Sequence, residues 1–290
     1  MATTTLLQNV QAVADEAGYQ VGTSVIGNND VTTKQLLAIA NRVVKEMAEQ
    51  YPWPILYASS SFTLVTGQSL YPVPGAFSYY HYETFWNQST RWRVLGPMTP
   101  QEYGEIQGYG LNTTVYSRFQ FRGLANNQIL INPTPTAANN GQTVIFEYIA
   151  DRPVRPKTWV ASTVFAAGSY CFNNGNYYTT TAGGTTGATA PTHTSGSVSD
   201  GGVTWAYYDG AYSDFLADTD ICNLNPKTLE QGMLERFAEI HGLSTVGRRY
   251  DIQLNEDFSR QNPGKMLWAG GHSQATLFAR SGTAIFGTWI

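Results

Sequence analysis

The stretch NPKTLEQGMLERFAEIHGLSTVGRRYDIQLNEDFSRQN, residues 225–262, decides how the chain is read. Asn225 can accept a main-chain N–H, and Pro226 takes the first helical position, where its missing donor costs nothing, so a helix should begin here. Leu229, Met233, Phe237 and Ile240 recur at three- and four-residue steps and form one apolar stripe, with Glu230, Glu235, Arg236 and Glu239 mostly on other faces. Gly242 offers a break. Val246, Tyr250, Leu254 and Phe258 then form a second stripe that runs to Pro263. The pattern predicts a helical hairpin. Its two stripes cannot bury each other unaided and need partners elsewhere in the chain or on sister copies, and the expectation is that sister copies cover them.

Matching stripes lie far upstream. Leu6, Leu7, Val10, Val13 and Ala17 predict a short amphipathic helix over 4–17, closed by Gly18. Thr32 and Gln35 have capping-box spacing, and Leu36, Ala40, Val43 and Met47 follow with Leu37 and Val44 flanking. Pro52 disfavours helical geometry at Tyr51, so this second helix should end near Gln50. Trp53, between two prolines, is placed as an anchor beneath the bundle.

The middle of the chain reads as antiparallel β. Phe62 and Leu64, a turn at 66–68 and Leu70-Tyr71-Pro72-Val73-Pro74 predict a hairpin whose second strand is an edge because of its prolines. Residues 92–95 predict another strand, and Thr99, Pro100 and Glu102 supply the cap, first residue and early carboxylate of a short helix over 100–107. Residues 118–122 and 128–132 flank a turn at Asn126-Asn127, and TVIFEYIA at 143–150 is the strongest strand pattern of all. The predicted class is α+β: a helical bundle from both chain ends packed with an antiparallel β domain, over 1–156 and 211–262.

Two segments break this frame. Residues 157–210 are dense in Thr, Gly, Ser, Asn and Tyr and lack helical period, yet they carry Trp159, Tyr170, Tyr177, Tyr178 and Trp205, so a small inserted β module is expected rather than disorder. Residues 263–290 are Gly-rich and carry Met266, Leu267, Trp268, Leu277, Phe278, Ile285, Phe286 and Trp289 at no clean period. This predicts an extended arm that docks on a partner, each buried aromatic contributing about 1.5–3 kcal/mol; packing back on its own domain is the alternative.

Composition narrows the function. Of 290 residues 42% are hydrophobic but only 13% charged, against roughly 25% in average soluble proteins. Such a surface suits contact with other protein, or polar exposed strands. A net charge of -4 argues against gripping nucleic acid through its phosphates. Two cysteines, Cys171 and Cys222, exclude a disulfide framework and are expected to be free thiols. No run is apolar enough to insert in a membrane, and the N-terminus is not a secretory signal.

Catalytic chemistry is sparse. His81, His193, His241 and His272 stand apart without metal-ligand spacing, and no nucleophile elbow or phosphate-binding glycine motif follows a strand, so no metal, cofactor or enzymatic activity is expected. Asp214, Asp218 and Asp220 could pair, as could Glu235 and Glu239, but two carboxylates in a chain are a weak signal.

The order of elements, with Tyr51-Pro52-Trp53 after the helix pair, then Phe62-Thr63-Leu64, Tyr71-Pro72-Val73-Pro74, a β middle and the late helices at 229–242 and 250–258, resembles the head-to-tail adaptors of short-tailed phages. This is the tail tubular protein A and P22 tail accessory factor group, and the likeness covers residues 4–151 and 214–261. The resemblance implies a virion protein of the phage neck, assembled in the host cytoplasm as a homo-oligomeric, dodecameric ring. Its partners would be the portal protein and tail nozzle or tail fibre proteins, with double-stranded DNA passing through its channel without specific binding. A peptidoglycan hydrolase activity has also been suggested for such proteins. The segment from Trp159 through Gly175-Asn176-Tyr177-Tyr178 to Asp200-Gly201-Gly202-Val203-Thr204-Trp205 is similar to small β modules of phage tail proteins, some of them chitin-binding. That likeness implies glycan stacking on Trp159, Tyr177, Tyr178 and Trp205, unless the same rings fill a miniature core.

Overall fold

A computed structural model describes residues 4–81, 83–110, 116–122, 128–242 and 249–261. The fold is α+β, with helices α1 (Leu6–Glu16), α2 (Val31–Gln50), α3 (Pro100–Gly108), α4 (Pro226–Ile240) and α5 (Arg249–Gln261) and several antiparallel sheets. The chain divides into two compact units, Met1–Ile55 with Asp214–Ile290, and Leu56–Ser213.

The first unit is helical. Thr5 and Gln8 form a reciprocal capping box on α1. Asp30 caps α2 by accepting the Thr33 N–H, so the cap lies two residues before the expected Thr32; its carboxylate satisfies an orphan donor better than the hydroxyl would and is held below its usual pKa by that main-chain bond. The helix ends at Gln50, with Tyr51 extended before Pro52. Trp53 is fully buried, and its Nε1 donates to the Met47 carbonyl at 2.6 Å, satisfying an acceptor freed by the helix end.

Asn225 caps α4 and Pro226 opens it. Leu229, Met233 and Phe237 are buried, together with Thr228, Leu234 and Ala238. Their partners are α1, α2 and α5 of the same chain, so the expectation that sister copies cover this stripe is corrected: intrachain helices bury it. Ile240, expected on the stripe, is 59% exposed because it falls in the last turn. On α5, Tyr250 and Leu254 are buried and the Phe258 ring stacks on Tyr51 at 4.6 Å; Val246 lies outside the described residues. Gly232 is where three helices meet. A Cβ there would stand 2.6 Å from Val43 Cγ1 of α2 and 2.8 Å from Tyr250 Cε2 of α5.

Polar bonds fasten the two chain ends. Asp257, 3% exposed on α5, accepts from Asn225 Nδ2 at 2.8 Å and from the Thr228 hydroxyl. Asp218 accepts the N–H groups of Val25 and Ile26 at 2.9 and 2.8 Å and the Ser24 hydroxyl at 2.8 Å. The carbonyl of Asp220 receives the Leu6 N–H at 2.8 Å, supplying one of the first acceptors that α1 lacks.

In the second unit, Thr143–Ala150 is the central strand of a five-stranded sheet. Tyr57–Thr63 pairs along its whole length on one side, with Tyr57 opposite Ile149 and Thr63 opposite Thr143. Phe77–Tyr80 and Trp86–Asn87 pair in tandem on the other side, and Trp92–Arg93 follows. The expected hairpin of residues 62–74 does not form. The turn is present, but Leu70–Pro72 departs into a three-stranded sheet with Gln128–Asn132 and Arg118–Arg122. Pro72 nonetheless sits on an edge, as its missing donor requires. Thr99 and Glu102 cap α3 with a reciprocal box.

Alternation on the central strand sends Val144, Phe146 and Tyr148 inward and Ile145 and Glu147 outward. Phe146 stacks on Phe85 at 4.6 Å, and Phe85 on Phe119 at 3.9 Å, so aromatic faces join the two sheets. Residues 157–210 hold a four-stranded antiparallel sheet in the order Tyr170–Asn173, Asn176–Ala182, Val203–Tyr208, Ser197–Asp200, with Phe165, Cys171, Tyr178, Val203 and Trp205 as its core.

Two outcomes follow. Gly232→Ala should lower stability by about 1–2 kcal/mol in denaturant unfolding, because overpacking exceeds the helix-propensity gain, whereas Gly104→Ala, facing open space on α3, should be neutral or gain up to about 1 kcal/mol. Burial works to raise the Glu46 pKa, but Arg42 and Arg236 at 2.8 and 3.1 Å outweigh it and hold the group below its ordinary value. With the folded value the lower one, Glu46 stabilises the fold above its unfolded pKa and loses that contribution as pH falls through the folded one. Melting curves from about pH 6 to about pH 3 should therefore fall less steeply for Arg236→Gln than for the native chain.

Candidate docking surfaces

The outer face of the five-stranded sheet is one candidate surface. Because directly opposed residues share a face, Ser61, Ile145, Trp86 and Arg93 form one cross-strand row and Tyr57, Ile149 and Tyr79 another. Tyr57, Tyr79, Trp86 and Ile145 are all more than a third exposed. Four large apolar side chains on one sheet face suit contact with protein better than with water.

Beside it lies a cavity of about 210 Å³ whose walls include Trp92, Arg93, Tyr116, Asn139 and Gln142. The Trp92 and Tyr116 rings stand 5.2 Å apart, each about half exposed. Asn87 in its floor is already committed, donating to Gln142 at 2.7 Å and accepting from Ser89 and Thr90. The volume is below the roughly 300 Å³ at which small-molecule pockets begin.

Of the two readings of the insert's aromatics, glycan stacking or a miniature core, burial favours the second. Trp205 and Tyr178 are fully buried and Tyr177 is 3% exposed. Trp159 is partly buried, and its Nε1 donates to Asp200 Oδ2 at 2.8 Å. The same carboxylate receives Trp205 Nε1 at 3.3 Å, while its other oxygen takes the Gly187 N–H at 2.8 Å. Tyr177 lies under the Arg152 guanidinium and donates to the Val154 carbonyl at 3.1 Å. The fold uses these rings as core. The arm candidates Met266, Leu267, Trp268, Leu277, Phe278, Ile285, Phe286 and Trp289 lie outside the described residues.

Four of the five acidic candidates, all but Glu235, are bonded within the scaffold. Asp214 pairs with Lys45 at 2.7 Å, Asp218 holds residues 24–26, Asp220 accepts the Leu216 and Ala217 N–H groups, and Glu239 pairs with Arg236. The histidine rings of His81, His193 and His241 lie against Tyr57, Tyr178 and Phe237; His272 is outside the described residues. Among the described residues no three His, Cys, Asp or Glu side chains gather to hold a metal ion, and no helix is long and apolar enough to cross a membrane. Sequence reasoning missed the clasps by Asp218 and Asp257 and the Trp92–Tyr116 notch. Clasps join residues far apart in the chain, and Tyr116 gave no periodic signal.

One unit is a helical bundle closed by the two ends of the chain, and the other is a β unit that exposes aromatic side chains. Residues 4–171, more than half of the chain, match the SU10 adaptor protein family. The chain belongs to that family and is a structural phage adaptor, a component of the virion. The match spans α1 to the first strand of the four-stranded sheet, ending before α4 and α5. A search of curated proteins finds no match.

Burial raises the Cys171 and Cys222 thiols to about 12. In the folded chain neither should react with a disulfide-exchange reagent at about pH 8, and both should react once denatured. Absorbance of the released thiol reports the count.

Proposed function

We propose that this adaptor forms a homo-oligomeric ring, twelve copies by resemblance, that binds beneath the portal, extends the DNA channel and presents a platform to tail nozzle or fibre proteins. The observation that carries the reading is the family match over residues 4–171. A surface with few charges supports it, since a net charge of -4 over 290 residues gives a channel wall little hold on phosphates and lets double-stranded DNA slide. Because α1, α2 and α5 already bury the α4 stripe, contacts between copies must come from elsewhere: the exposed aromatics of the β unit, and residues 263–290 acting as an arm on portal or neighbour. Residues 157–210 are an inserted module on this scaffold, and the carboxylates named above hold structure rather than act on a substrate.

The test is assembly. Purified chain mixed with portal should give rings in electron micrographs and a corresponding high-mass species. A chain ending at residue 262 should keep its melting transition and lose that species. A native chain that stays monomeric and ignores portal overturns the ring; a shortened chain that joins portal as well as the native one overturns the arm.

A further inference from the structure

Among the described residues, strand Tyr57–Thr63 has an open edge. His81 and Gln88 donate to the carbonyls of Glu147 and Thr143, so the odd-numbered residues of the central strand face Phe77–Tyr80 and Trp86–Asn87. Its even-numbered residues, and Gln142 through its bond from Leu64, therefore serve the other side and pair with Ser60, Phe62 and their neighbours. The main-chain groups of Tyr57, Ser59, Ser61 and Thr63 point away from the sheet, and all four residues are exposed. Proteins protect such an edge with proline, lysine, a bulge or brevity. Here seven residues pair without a register shift and contain none of these.

The other sheet edges among the described residues are guarded: Phe77–Tyr80 carries a register shift, and Trp92–Arg93 and the strands of the two-stranded sheets are two residues long. Leu70–Pro72 is three residues long and ends in proline, Arg118–Arg122 carries arginine at both ends, and Tyr170–Asn173 is covered by bonds between Phe172 and residues Lys157 and Trp159. Ser197–Asp200 is short and ends in a carboxylate. An edge left open while the others are closed is a place for an added strand.

We propose that this edge receives residues 283–290, TAIFGTWI, of a neighbouring copy as an added strand. The inference rests on the oligomer reading above. A partner for a seven-residue strand needs comparable length, and of the stretches outside the described residues only 262–290 exceeds six residues. Residues 283–290 are rich in β-branched and aromatic side chains and carry no charge and no proline, which is strand-forming composition. Alternate apolar side chains of the added strand would continue the rows that contain Tyr57 and Ile145, covering apolar surface already exposed there.

Variants with one added cysteine decide it in the full chain. Ser61→Cys chains are mixed with chains carrying Thr283→Cys, Ile285→Cys, Gly287→Cys or Trp289→Cys, co-assembled, and oxidised mildly. Both native thiols are buried and stay out of the reaction. At least one mixture should give a disulfide-linked dimer of two different chains, and a Ser199→Cys control should give none. Ser61→Pro removes one outward N–H and no bond to the central strand, so it should keep the native melting transition and weaken self-association about tenfold. Ser61→Lys, which guards the edge without changing the backbone, should act in the same direction. Oligomers that form normally in both variants, with no cross-link at any position, overturn the added strand and leave the ring standing. A native chain that never oligomerises removes the ring itself.

Discussion

The burial of one helix governs the helical unit. α4 carries apolar residues on more of its circumference than a two-helix contact covers, and α1, α2 and α5 enclose it. Gly232 sets how near α2 and α5 come, since Val43 and Tyr250 occupy the space a side chain would take. α4 lies at one end of the chain and α1 and α2 at the other, with residues 56–213 between. Closing so long a loop costs little more than closing a shorter one, because the entropy grows only with the logarithm of length. The polar clasps then fix the alignment: Asp218 holds the loop after α1, Asp220 the start of α1, and Asp257 the start of α4.

Much of the local structure was legible. Proline at 226, capping spacing at Thr99 and three- and four-residue steps in α2 are short-range signals, and the structure follows them closely because each bond involved spans only a few residues. The α2 cap was misread by two positions for an equally local reason: Asp30 competes with Thr32, and a carboxylate is the stronger acceptor. Strand partners were harder. Residues 57–63 and 70–72 look like two arms of one hairpin, yet the longer strand finds a full-length partner in Thr143–Ala150 and the shorter is left to another sheet. Periodicity reports which face of a strand is apolar and is silent on which strand lies beside it.

The candidate surfaces were the least legible part. Trp159, Tyr177, Tyr178 and Trp205 drew attention as conspicuous rings in a polar segment, and the same property explains their burial: a small sheet with few aliphatic residues fills its core with aromatics and satisfies the indole donors through a single carboxylate, Asp200. Exposed rings came instead from very short strands, the one expected over 92–95 forming only at Trp92–Arg93. Trp86 and Trp92 stand on two-residue strands, too short for alternation to be read.

Burial on the central strand explains why the sheet offers a face at all. Val144, Phe146 and Tyr148 fill the inner side with a continuous aromatic stack, so the alternation of the pleat necessarily turns Ile145 and Glu147 outward. A sheet with both faces covered would have lacked that alternation and read as an unbroken apolar run. Among the described residues the sheet instead leaves exposed side chains on one face and an unpaired edge on Tyr57–Thr63, a strand paired with the central strand along its length. Such an edge can gain or lose a neighbouring strand without disturbing the bonds that hold its own fold.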